Sequence, residues 1–212
     1  MTDAWSERAE LYRTSRAHAE GADLDQIVEW AQGCTTALDV ATGGGHVARR
    51  LREAGLEVVT CDPAPGMQPD VICRAEHLPF VACAFDLATT RVAAHHFEDV
   101  AAAVRELARV ASRRVIVVDT MFMGDAAEQA EKIRDPSHVR NYSEAEWREL
   151  FADAGLEVAE VRIFDHPVEF EPWLERTDCT GEDAARAAEL LADRLADGFL
   201  RMERIVLRAE ID

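Results

Sequence analysis

The stretch Ala37-Leu38-Asp39-Val40-Ala41-Thr42-Gly43-Gly44-Gly45-His46, followed by Val47 to Ala54 and Gly55, decides the fold. An apolar run suited to a buried strand leads into three consecutive glycines, and the residues after them repeat their apolar positions at helical spacing. Glycine closes that helix. A strand, a tight glycine turn and a helix in immediate succession are the first half of a βαβ unit, whose ligand crevice lies at the carboxyl ends of the strands.

Working outward, segments rich in β-branched and other apolar residues recur at 57–61, 70–73, 85–89 and 115–118. Between the last two, Val100, Ala103, Val104, Leu107 and Val110 keep helical spacing, predicting a helix over 100–110. Beyond Gly124 an acidic helix is expected to about Arg134, then a turn at Pro136. A helix from Ser143 follows, with Glu146 as capping-box partner and Gly155 as its stop. Two more strands fall at 157–164 and 203–209, with a helix over 180–200 inserted between them. The first thirty-three residues read as helical and polar. No repeat or low-complexity linker breaks the chain, so residues 1–212 read as a single domain. Its parts are a helical cap (1–33), a cofactor-binding sheet core (35–119) and an acceptor-side cap with the last strands (120–212).

The chain has 212 residues, with 23 basic and 41 acidic side chains, a net charge of −18. Nucleic-acid binding relies on clustered Lys and Arg, and Lys132 is the only lysine, so nucleic acid is not an expected partner. No run approaches the eighteen or so apolar residues of a membrane span, and the first residues lack a secretory pattern, so a cytoplasmic location is expected. The five cysteines show no C-x-x-C pair and read as reduced packing residues. No His, Cys, Asp and Glu grouping has metal spacing, so no metal is expected.

The glycine turn has an acidic partner. Asp62 ends the second strand nineteen residues after Gly43, where a carboxylate can accept both hydroxyls of a ribose, pointing to an adenosine-type ligand. A dinucleotide fold requires G-x-G-x-x-G. Here the pattern is Asp39-x-x-x-Gly43-x-Gly45, and no second nucleotide-binding half is evident, which disfavours an NAD-dependent dehydrogenase.

Five ordered motifs carry a family resemblance: 38–46, Thr-Cys-Asp-Pro-Ala-Pro-Gly-Met (60–67), Arg-Ala-Glu-His-Leu-Pro-Phe (74–80), residues 85–99, and Val-Arg-Glu-Leu-Ala-Arg-Val (104–110). They resemble class I S-adenosylmethionine-dependent methyltransferases, in particular the set related to the ubiquinone/menaquinone-biosynthesis C-methyltransferases (methyltransferase type 11) and its small bacterial members of unassigned substrate. Residues 134–140 and 142–147 are also similar to those bacterial members. The resemblance runs from about His18 to the carboxyl terminus and is not specific for the acceptor.

The resemblance implies an α/β, Rossmann-like fold. Its sheet would be mostly parallel and seven-stranded in the order 3-2-1-4-5-7-6, with the last strand antiparallel, helices on both faces and helical cap additions. It implies S-adenosylmethionine as methyl donor and S-adenosylhomocysteine as product. Gly43 and Gly45 would pass under the methionine part while Asp39 helps hold its ammonium through the turn, and Asp62 would take the ribose hydroxyls. Met67 would lie on the adenine, Ala75 would offer its amide to the ring, and Arg91 would pass its backbone beside the cofactor. Ala41, Thr42 and Pro63 belong to the same two turns, and His46 opens a helix beside the expected cofactor carboxylate or merely caps it. Two positions depart from the family pattern: Ala41 where the family often has Gly, and Arg74 where many members place an Asp for the adenine amino group. Glu76 is the candidate substitute.

Transfer to a hydroxyl, thiol or activated carbon requires a base, and His suits that task near neutral pH. His95 and His96 follow the fourth strand at the same edge. Plant small-molecule O-methyltransferases carry His-Asp-Trp-x-Asp where this chain reads His95-His96-Phe97-Glu98-Asp99, and their base matches His95. Either histidine is a candidate base; the alternative is that both only cap the next helix or orient the loop. Arg134, His138 and Arg140 are candidates to clamp an anionic group of the acceptor, or else pair with neighbouring acids. Trp5, Tyr12 and His18 are candidates to close the amino-terminal helices over the cofactor, with His18 also a candidate substrate residue; the alternative is that they pack at the surface. The expectation is O- or C-methylation of a small organic acceptor by a monomer or homodimer; a catalytically silent cofactor-binding module is the alternative.

Overall fold

The computed structural model describes residues 4–211; the first three residues and the last, counted above with the two caps, lie outside the described residues. The strands are β1 (Thr36–Val40), β2 (Glu57–Asp62), β3 (Val71–Ile72), β4 (Phe85–Arg91), β5 (Ala111–Thr120), β6 (Glu157–Asp165), β7 (Val168–Glu169), β8 (Leu195–Ala196), β9 (Phe199–Leu200) and β10 (Glu203–Glu210). The helices are α1 (Ala4–Glu7), α2 (Ala9–Thr14), α3 (Arg16–Ala19), α4 (Ala22–Trp30), α5 (His46–Glu53), α6 (Val100–Val110), α7 (Asp125–Arg134), α8 (Glu144–Asp153), α9 (Phe170–Glu175) and α10 (Gly181–Leu190).

Seven strands form one sheet in the order β3-β2-β1-β4-β5-β10-β6. β10 is the seventh of these in the chain, so the order and the single reversed strand are those the resemblance implied. β1 pairs in parallel with β2 and β4, and β5 with β4, whereas β10 runs antiparallel to both β5 and β6. The central strands are apolar on both faces because helices cover both. On one face α6 and α8 bury Val104, Leu107, Trp147 and Phe151. On the other, Leu24, Ile27 and Trp30 of α4 pack with Val47 and Leu51 of α5. The expectation that the first thirty-three residues are polar is thereby corrected: α4 is amphipathic and its apolar stripe is core.

Local chemistry sets the ends of these helices. Asp99 accepts the amide of Ala102 at 2.8 Å at the start of α6. Ser143 and Glu146 form the reciprocal capping box of α8, and Gly155 terminates it at φ +77°.

The helix expected over 180–200 is also corrected. It ends at Leu190, and residues 195–200 form the hairpin β8–β9, joined by β7 into a three-stranded sheet. Leu195 faces Leu200 and Ala196 faces Phe199, leaving Asp197-Gly198 as a two-residue turn with φ +52° and +80°. That is a type I′ turn, for which Asp-Gly is a strong local signal. The five cysteines are free thiols, and Cys83 is an exposed one outside the core.

Candidate functional site

The carboxyl ends of β1, β2, β4 and β5 converge on one edge, and the glycine turn begins there. Ala41, Gly43 and Gly45 all have left-handed φ, of +54°, +50° and +75°. Asp39, fully buried at the end of β1, holds this turn from below: one oxygen accepts the Thr42 hydroxyl at 2.6 Å and the Ala48 amide at 3.1 Å. Burial raises its pKa to about 6 against the lowering effect of those two bonds. At the end of β2, the buried carboxylate of Asp62 accepts the Gly43 amide at 3.0 Å and the Ala64 amide at 2.9 Å. Two strand ends are tied through one turn.

A Cβ built on Gly43 or Gly45 meets nothing within 4 Å, so the turn faces open space there. Gly44 is different: its Cβ would stand 2.7 Å from the Tyr12 carbonyl oxygen. That carbonyl accepts a hydrogen bond from His46 Nε2 at 2.9 Å, so His46 ties α2 to the glycine turn. Farther along, the Gly66 amide donates to Ser6 Oγ at 2.8 Å and Arg13 donates to the Gly66 carbonyl at 3.0 Å. Met67 is buried with Ala64 and Ala9, against Trp5 and Tyr12. The amino-terminal helices thus lie across the turns that follow β1 and β2.

Of the other residues expected beside a cofactor, Pro63 is exposed and Ala75 is buried. Arg74 pairs with Glu76 at 3.2 Å and Glu98 at 3.1 Å. Glu76 also accepts the Glu98 amide at 3.0 Å, so it ties its own loop to the segment that precedes α6. The Arg91 side chain turns away from the strand edge to Asp23, 2.7 Å distant, and to the His18 carbonyl. Arg204 of β10 meets the same Asp23 at 3.0 Å. Burial opposes the Asp23 charge, yet the two guanidinium groups bring its pKa down to about 2.

His95 lies on the single turn of 3-10 helix Ala94–His96 beyond β4. Its Nδ1 sits 2.5 Å from Asp119 Oδ1, and its amide donates to Asp119 Oδ2 at 2.9 Å. Asp119, near the end of β5, is buried and also accepts the Thr120 amide. Burial disfavours a charged His95, but the charge of Asp119 and its hydrogen bond outweigh it, and the pKa rises above the ordinary histidine value. With Nδ1 committed to the carboxylate, Nε2 is the nitrogen left to exchange a proton. His96 differs. Its Nδ1 donates to the Ser137 carbonyl at 3.1 Å, and burial together with the neighbouring His95 pushes its pKa down to about 3. Trp5 packs edge-on against the His96 ring, 4.6 Å between centroids.

Both histidines line a cavity of about 60 Å³, with Tyr12, His18, Arg134 and Arg176 also in its wall. His18 packs against Tyr12 and contacts Ser15 Oγ at 2.8 Å. Arg134 donates to the Trp173 carbonyl at 2.9 Å and lies 4.3 Å over the Trp173 ring. His138 stands behind the wall, its ring 5.5 Å from that of His95 and its Nε2 3.1 Å from Glu128. Arg140 reaches Glu146 at 2.5 Å and stacks on Tyr142. The structure therefore brings His18, His95, His96 and Arg134 together, and not Arg140. Sequence reasoning missed Asp119, Trp173, Arg176, His166 and Arg204. Asp119 alone had a local signal, a carboxylate directly after the run Val115–Val118.

Residues 38–118 match the family model described as a methyltransferase domain. An uncharacterized methyltransferase of Bacillus subtilis (strain 168), YcgJ, is 32% identical over 197 residues, covering 81% of this chain and 78% of that protein. The crystal structure of YcgJ superposes with a TM-score of 0.79 at 25% identity, over 89% of this chain and 97% of that one. A candidate methyltransferase of Bacillus halodurans C-125 gives the same TM-score at 29% identity, over 90% and 99%.

Proposed function

This chain belongs to the class I S-adenosylmethionine-dependent methyltransferases, and from that premise we propose that it moves a methyl group to an oxygen or carbon of a small organic acceptor, with His95 as base. The observation that carries the reading is the His95–Asp119 pair, set at the same strand edge as the open glycine turn. The residues fit the donor: the turn leaves space at Gly43 and Gly45, and the buried Asp62 carboxylate stands beside it. Gly43 and Gly45 would hold the methionine part, Asp39 would steady the turn beneath its ammonium, Asp62 would take the ribose, and Met67 and the Ala75 amide would hold the adenine. S-adenosylmethionine supplies, when bound, an electrophilic methyl on a sulfonium.

The remaining work falls to the chain's own side chains. Asp119 fixes the His95 ring and its tautomer through Nδ1, so Nε2 carries the lone pair that accepts the acceptor's proton. The resulting imidazolium is stabilised by the same carboxylate. Tyr12, Trp5 and His18 close the amino-terminal side and exclude water, which strengthens these interactions. His96, held neutral, orients the loop through Ser137.

Calorimetric titration with S-adenosylhomocysteine and, separately, with NAD tests the donor; a thermal-shift screen of phenols, quinols, amines and acids then seeks the acceptor. S-adenosylhomocysteine is expected to bind and NAD not. Binding of NAD alone would overturn the reading.

A further inference from the structure

The cavity that holds His95 is also lined by three guanidinium groups, and their partners differ. Arg204 is paired with Asp23 and donates to His166 at 2.9 Å. Arg134 is paired with Glu131 at 3.4 Å and fixed to the Trp173 carbonyl. The two acids of the wall are likewise engaged: Glu131 by Arg134, and Asp135 by the hydroxyl and amide of Ser137 at 2.6 and 3.0 Å. Arg176, which follows α9, lines the cavity with no side-chain hydrogen bond or ion pair among the described residues. Burial and the nearby charge of Arg134 bring its pKa down to about 10, so it remains a cation at neutral pH. A half-buried guanidinium without a counter-ion is costly, and its planar fork matches a carboxylate in two parallel hydrogen bonds.

Resting on the methyltransferase reading above, we propose that the acceptor is a small carboxylic acid whose carboxylate is held by Arg176, while its methylated atom faces His95. His166 cannot serve as a second cation there: burial and Arg204 lower its pKa to about 4. The anion is met by one free fork in a wall that Trp173 and Tyr12 also line.

The test uses the full chain saturated with S-adenosylhomocysteine and three probes in calorimetry: 2-hydroxybenzoate, its amide 2-hydroxybenzamide, and inorganic phosphate. Wild type is expected to bind 2-hydroxybenzoate about tenfold or more tightly than the amide, a difference that R176Q abolishes and R176K partly keeps. S-adenosylhomocysteine affinity measured on the same preparations is expected to stay within a few-fold and serves as the check that each variant folds. Equal binding of acid and amide overturns the inference alone, as does a preference for phosphate or a carboxylate preference that survives in R176Q. If S-adenosylhomocysteine fails to bind wild type, the donor reading fails and takes this inference with it.

Discussion

The proposed donor edge and acceptor wall of this molecule meet at the ends of the same strands but are built in opposite ways. At the donor edge, Asp39, Thr42, Gly43, Gly45 and Ala48 lie within ten residues and hold one another by short local hydrogen bonds; Asp62, from the next strand, completes them. At the acceptor wall, Tyr12, His95, Arg134 and Arg176, with Asp119 behind His95, come from five separated segments. The donor edge is held by the local bonds of Asp39 and by bonds from the Thr42 and Gly43 amides to the end of β2. The wall depends on how helices of the two caps settle on the sheet, so substitutions there should alter turnover while leaving donor affinity largely intact.

The strongest test of that contrast is Gly43→Val. A β-branched side chain at φ +50° is strained and projects into the open space over the turn. We expect S-adenosylhomocysteine affinity to fall by more than about a hundredfold in calorimetry. A folded variant that binds as wild type would remove the glycine turn from the donor site.

Across the site, His95→Ala is expected to lower turnover on the order of a hundredfold with donor affinity within a few-fold. The proposed base would work as neutral imidazole, so activity should fall as pH drops below the raised pKa of His95. Asp119→Asn removes the charge responsible, and the acid limb of the pH–rate profile should move to lower pH while the maximum rate declines. An unmoved limb would separate Asp119 from the base. If His96→Ala loses activity and His95→Ala does not, the neighbour is the base.

Asp62→Ala removes a charge-assisted acceptor and is expected to weaken S-adenosylhomocysteine by at least about tenfold. Turnover at saturating donor should change much less than in His95→Ala, which keeps the two halves of the site distinct.

Asp39→Asn probes stability instead. The folded chain binds the Asp39 proton more tightly than the unfolded chain, so the wild type loses stability as pH rises from about 4 to about 6. The asparagine variant escapes that loss. Weaker hydrogen bonds to Thr42 and Ala48 offset part of its advantage, and a gain of about 1 kcal/mol is expected above pH 7 and none near pH 4. Urea midpoints at both pH values measure it; a gap that does not change with pH would refute the raised pKa.

The smallest effect belongs to Ala41→Gly. Relief of the left-handed strain at φ +54° is partly cancelled by the flexibility of glycine in the unfolded chain, leaving about 0.5 kcal/mol of stabilisation in thermal melts. A loss of stability would show that the Ala41 methyl contributes packing against the core.

The sheet, the glycine turn, Asp62 and the α8 capping box were legible because each rests on residues close in the chain, where periodicity, turn chemistry and capping leave local marks. The Asp197-Gly198 hairpin had such a mark too, within a stretch whose alanines and leucines also suit a helix. His95 was legible as a histidine at a strand end, but not its preference over His96. What separates them is that Asp119, twenty-four residues on, reaches Nδ1 of one and not of the other. In the same way the sequence offers Arg134, His138 and Arg140 as a candidate anion clamp and leaves Arg176 undistinguished among many arginines. Glu146 takes Arg140, Glu131 and Trp173 take Arg134, and Arg176 is left facing the cavity. Residue types and local order determined the fold and the donor turn, since those follow from short-range hydrogen bonding and apolar spacing. Which charges are cancelled and which remain available depends on partners brought together through space, and only the tertiary structure decided that.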